Sequence, residues 1–115
     1  GGTVTAELKD FSETVNILGS ISGSTAIDYE SGQVVTATIG GATTFTFTNP
    51  PATGKAGTFT LLVTNPTTNI TWPGSVDWPD GTAPTLTATG LDILTFTTVD
   101  GGTIWHGMVA SLDSK

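Results

Sequence analysis

Few side chains in this sequence can do acid–base or nucleophilic chemistry, and their spacing narrows the options further. His106 is the only histidine, and cysteine is absent. One imidazole without a thiolate cannot assemble an ordinary zinc site. A lone His can act as a base, but no Gly-x-Ser-x-Gly elbow supplies it with a nucleophile. The plainer reading places His106 as a packed or rim residue beside Trp105. Asp28 with Glu30, or Asp77 with Asp80, form the carboxylate pairs that a glycosidase would need. Spacing along a chain, however, does not set separation across a cleft. Asp77, Asp80, Asp92 and Asp100 fall in or near turns, where hard oxygen ligands can hold calcium. No EF-hand spacing occurs, and Asp commonly starts turns for local reasons. No cofactor or metal is expected beyond that calcium option, and the chain is not expected to be an enzyme.

The three tryptophans offer a different chemistry. Sugar rings stack on indoles while nearby carboxylates accept hydroxyl hydrogen bonds. The candidate binding set is Trp78, Asp77, Asp80, Trp72 and His106. Trp78, between Asp77 and Pro79, reads as the most exposed indole, and Trp72 and Trp105 as the more buried pair. The competing reading makes all three core or subunit-contact residues. Asn69-Ile70-Thr71 matches an N-glycosylation acceptor, a pattern that arises by chance in a chain this rich in Thr.

Composition bounds the elements that must position these residues. The chain has 115 residues, three basic groups (Lys9, Lys55 and Lys115) and ten acidic ones, for a net charge of −7. Such a chain cannot neutralise a run of phosphates, so nucleic acid and anionic lipid are excluded as partners. No apolar run is long enough to span a bilayer as a helix. The length fits one domain, residues 1–115. Gly1-Gly2 reads as a cloning scar or the start of a fragment excised from a longer protein. Threonine is the most frequent residue, outnumbering the 15 glycines, and charged residues make up only 11%. Thr is β-branched and favours pleated surfaces, so the chain reads as all-β.

Period-two alternation supports this. Val35, Ala37 and Ile39 share one face; Phe45 and Phe47, Phe59, Leu61 and Val63, and Leu94 and Phe96 repeat the pattern. Ile104, His106, Met108, Ala110 and Leu112 form one face of a last strand, opposite Trp105, Gly107 and Val109. Turn signals fall at 19–24, 30–33, 40–42, 49–57, 65–69, 73–84, 89–92 and 100–102. Between residues 8 and 18, Leu8, Phe11, Val15 and Leu18 have helical spacing. The Thr- and Val-rich flanks favour strand there, with a bulge near Lys9–Asp10. Eight to ten short strands with hairpin-length turns predict an antiparallel β-sandwich of jelly-roll type.

An ordered set of strings runs through the second half: Thr44-Phe45-Thr46-Phe47-Thr48-Asn49-Pro50-Pro51, Gly54-Lys55-Ala56-Gly57-Thr58-Phe59, Thr71-Trp72-Pro73-Gly74-Ser75-Val76-Asp77-Trp78-Pro79, and Thr98-Val99-Asp100-Gly101-Gly102-Thr103-Ile104-Trp105-His106-Gly107. Together they resemble a domain common at the C-terminal ends of bacteriophage tail-fibre and related virion fibre proteins, often from marine phages. The resemblance covers roughly Leu8 to the end. It implies a structural module on the virion surface, assembled as a homotrimer with other virion proteins. Such a module touches a host-surface glycan or outer-membrane protein. It carries no catalytic residues across. The last string also resembles the Asp-box, Ser-x-Asp-x-Gly-x-Thr-Trp. Thr98 stands for Ser, Ile104 replaces Thr, and Asp100, Gly102 and Trp105 match. That motif is a structural hairpin, here Asp100, Gly101, Gly102 and Trp105. A sialidase would need an Arg for its substrate carboxylate, and this chain has none.

The neutral Thr faces suit association between identical copies, because each hydroxyl both donates and accepts. Two other readings keep the chain structural or binding. One is a capsid-decorating head fibre without a receptor; the other is a monomeric carbohydrate-binding module of a secreted bacterial protein.

Overall fold

A computed structural model describes Lys9, residues 11–67 and residues 69–115. These residues form an all-β fold. Its strands are β1 (Val15–Asp28), β2 (Val34–Thr48), β3 (Gly57–Thr64), β4 (Ile70–Thr71), β5 (Val76–Asp77), β6 (Leu91–Thr98) and β7 (Trp105–Ser111). They make one mixed sheet of order β1-β2-β3-β6-β7-β5, with β4 also on β2.

The expected antiparallel pairing holds only for β3 with β6 and β6 with β7. β1 with β2, β2 with β3, β2 with β4, and β5 with β7 are parallel. Parallel neighbours ordinarily need a long crossover, yet only residues 29–33 join β1 to β2. Chain geometry explains how. A straight 14-residue β1 would run about 43 Å, whereas the six steps from Asp28 to Val34 reach at most about 22 Å. β1 must therefore bend back on itself, so that each strand is a course of a coil. The bends fall where the register slips. Leu18 and Ser22 are left out of the β1–β2 ladder, each followed by a glycine in left-handed conformation, Gly19 (φ 75°) and Gly23 (φ 76°). On β2 the corresponding corner is 40–42, which has no partner on β1. Sequence reading takes both segments as hairpin turns; they are corners inside continuous strands.

Beyond its corner β2 changes neighbour, pairing with β3 at Val34–Thr38 and with β4 at Thr43–Thr44. The first course closes tightly. A side chain on Gly32 would sit 2.6 Å from the Thr14 carbonyl oxygen. Asp28 fixes the corner after β1, accepting from Glu30 N–H at 2.9 Å, Asn49 Nδ2 at 3.0 Å and Ser31 Oγ at 3.2 Å.

The core lies inside the coil. Val35, Ile39, Phe45, Phe59, Leu61, Val63, Leu94, Phe96 and Trp105 are buried, as alternation predicts for the first eight. Phe47 reaches across it, its ring 5.0 Å from Phe59, 5.1 Å from Phe96 and 5.6 Å from Trp105. Edge-to-face rings at these separations add to area burial. Among the described residues no buried side-chain polar atom lacks a hydrogen-bond partner.

The segment before β1 departs from expectation. Lys9 and residues 11–14 carry no regular structure, and strand begins only at Val15. Leu8 and Asp10 lie outside the described residues, so the bulge expected at Lys9–Asp10 does too. The bulges observed are at Leu18 and Ser22.

Candidate functional site

Two sequence-predicted groups come together at the β5–β7 edge. The loop between β4 and β6 carries the two-residue strand β5, which pairs in parallel with β7. Val76 is opposite Trp105, and Asp77 is opposite His106. Trp105 N–H donates to the Ser75 carbonyl at 2.9 Å and anchors the pair. A turn follows at Pro79–Gly81, with Gly81 N–H donating to the Trp78 carbonyl at 2.9 Å and Thr82 N–H to the Pro79 carbonyl at 3.1 Å. Asp80 (φ 54°) and Gly81 (φ 70°) take the left-handed conformation that this turn requires. Val76, Asp77, Trp78 and Gly81 line a shallow depression of about 340 Å³. Asp77, Asp80 and His106 are exposed around it.

The indoles agree with expectation for Trp105 and differ from it for Trp78, which shares the half-buried state of Trp72. Trp105 is buried at 2% exposure. Trp78 is not a free-standing platform: it is half-buried, with ring centroids 5.5 Å from Trp72 and 5.6 Å from Phe96. Trp72 is also half-buried, stacked on Phe45 at 5.6 Å. Trp78 thus joins the core to the depression. On the last strand the face that carries Trp105 is the inner one, in line with the burial expected of that indole. Trp105 and Gly107 point inward, while His106, Met108, Ala110 and Leu112 are exposed. Gly107 decides this face. A side chain there would meet Trp78 Cζ3 at 2.8 Å and Phe96 Cε1 at 3.0 Å.

The β6–β7 hairpin is built by Asp100. Its Oδ1 accepts from Ile104 N–H and from Thr98 Oγ1, both at 3.0 Å. Thr98 Oγ1 accepts from Gly102 N–H at 3.0 Å. Gly101 (φ 71°) and Gly102 (φ 81°) turn the chain, and a side chain on Gly102 would lie 3.2 Å from Trp105 Nε1. The Ile104 N–H bond, partly opposed by desolvation and helped by Thr98 and His106, holds the Asp100 carboxyl below the ordinary Asp range.

The remaining acidic candidates are structural or isolated. Hydrogen bonds from Asn49 and then Glu30 N–H lower the Asp28 carboxyl. Asp92 is fully buried. Burial alone would raise its carboxyl, but bonds from Asp113 N–H at 2.9 Å and Thr87 N–H at 2.7 Å outweigh this and the net direction is down. Among the described residues no three His, Asp or Glu side chains gather as metal ligands, so the calcium set is not assembled.

Sequence reasoning named Asp77, Trp78 and His106 but could not join them, because the β5–β7 pairing is not local. It missed Val76 and Gly81. The Pro79-Asp80-Gly81 turn was the available signal for Gly81. Comparison with protein-family models, curated proteins and solved structures finds no match.

Proposed function

We propose that this chain is a structural and adhesive module of a bacteriophage virion fibre, displayed on the particle surface as a homotrimer. In this reading the walls of the coil act as the two layers of a sandwich-like shell. The β5–β7 edge touches the host. One observation carries the adhesive part: Asp77, paired opposite the exposed His106, lines one shallow depression together with the half-buried Trp78. An indole anchored in the core presents a rigid apolar surface, and a carboxylate beside it accepts sugar hydroxyls. A chain of net charge −7 disfavours acidic sugars, so neutral or amino sugars are the fitting class. Asp28, Asp92 and Asp100 are engaged in corner, core and hairpin hydrogen bonds. A shallow site gains from threefold repetition, which converts weak contacts into avidity.

The test is titration with neutral and amino-sugar oligosaccharides, followed by tryptophan fluorescence, using the wild type and Asp77→Asn. Saturable quenching that weakens in the variant supports the reading. No quenching with any oligosaccharide, in a protein shown to be folded, overturns the glycan role.

A further inference from the structure

Three adjacent rows on the outer surface of the wide wall carry no charge; the next row holds Thr58, Thr97, His106 and Asp77. β-pairing sets three rows of outward residues: Val15, Val34, Thr60, Thr95 and Met108; Ile17, Thr36, Leu62 and Ile93; and Thr38, Thr64 and Leu91. None is ionisable in a chain with ten carboxylates. Near the β1 end, where Leu18 bulges out of register, a groove of about 360 Å³ opens along Thr36, Thr38, Leu62, Thr64 and Leu91. Ile17 stands at its edge, 75% exposed.

We propose that this face seats a second copy of the chain, with Ile17 of each copy entering the groove of its neighbour. Three observations select that occupant. Like-charge repulsion between two strongly acidic copies is reduced where they meet through rows free of carboxylates. The face is self-satisfying, since Thr hydroxyls both donate and accept and two Thr rows can pair without an orphaned group. An apolar knob beside an apolar groove on one surface is the shape a symmetric contact between identical copies requires. Size sets the strength. Five strands by six residues cover roughly 20 × 20 Å, so a pair buries about 800 Å² in projection, at the low end for protein contacts. The association is therefore weak and concentration-dependent.

The proposal rests on neither the threefold assembly nor glycan binding, since a face that meets its own copy makes a twofold contact. The experiment is sedimentation equilibrium of the wild type, Ile17→Glu, Thr64→Glu and Val99→Glu from micromolar to millimolar concentration, with circular dichroism to confirm folding. Val99, 56% exposed beyond the end of β6, controls for the added charge. The expected result is a mass rising above 11.7 kDa with concentration for the wild type and Val99→Glu. Both face variants should stay monomeric. Thr64→Glu carries the test if Ile17→Glu is misfolded. A monomeric wild type throughout, or face variants that associate like the wild type, overturns the proposal. Glycan quenching lost while self-association persists would instead fault the functional reading.

Discussion

The Trp78 indole occupies the space that a side chain on Gly107 would fill. Trp78 Cζ3 lies 2.8 Å, and Phe96 Cε1 3.0 Å, from an ideal Cβ at that position. The strand that carries His106 therefore has a gap on its inner side, and the loop that carries Asp77 is closed over that gap by the indole.

Replacing Gly107 by alanine should therefore destabilise the fold, by about 1–3 kcal/mol as overpacked cores do. The fluorescence of Trp78 should shift with it. Gly74 has nothing within 4 Å of an added Cβ, so Gly74→Ala should stay within about 0.5 kcal/mol. Urea titration of both variants checks the pair. Equal stabilities would mean that the contact at Gly107 is slack.

Trp105→Ala should cost about 3–5 kcal/mol, the range for removing a large buried aromatic. Its ring meets Phe47 and Phe59 as well as the hairpin above it. Denaturant unfolding monitored by circular dichroism measures the loss, and a change under about 0.5 kcal/mol would contradict the burial.

Asp92 accepts two backbone N–H groups from segments on either side of it. Asp92→Asn turns one acceptor into a donor facing a donor, and should destabilise by about 1–3 kcal/mol. Thermal melts of the two proteins at neutral pH decide this. An unchanged melting temperature would show that the two contacts carry no weight.

The pH dependence has a definite sign. Asp28, Asp92 and Asp100 all titrate below the ordinary Asp range when folded. The unfolded chain then binds more protons, so these groups stabilise above an unfolded pKa of about 3.9 and lose that effect as pH falls through the folded values. The melting temperature should be nearly flat from about pH 5 to 7 and fall below about pH 4. The fall should be shallower in Asp92→Asn. A maximum at acid pH would reverse the sign and rule out these bonds as its source.

Period-two alternation made most of the core legible, from Val35 to Phe96, because a strand sorts its neighbours onto two sides. It did not say which side faces inward. On β7 the more apolar set, with Met108 and Leu112, lies outside, and the inner set contains Gly107, which reads as an absence. The coil was illegible for a related reason. Glycine at 19, 23 and 40 signals a change of direction but not whether the strand ends there. The hairpin at Asp100 was legible because its bonds lie within four residues. Asp77 opposite His106 was not, because that pairing spans much of the second half of the chain.

The courses differ in length. Val15 stacks on Val34, 34 − 15 = 19 positions later, and Val34 on Thr60, 60 − 34 = 26 positions later. The straight segments nonetheless stay aligned, because the surplus is spooled out at the corners. The stretch 52–56, exposed and outside any strand, is such a reservoir. Foreign peptide spliced there would hang outside the coil without sliding one course against the next, making this position a natural handle for display.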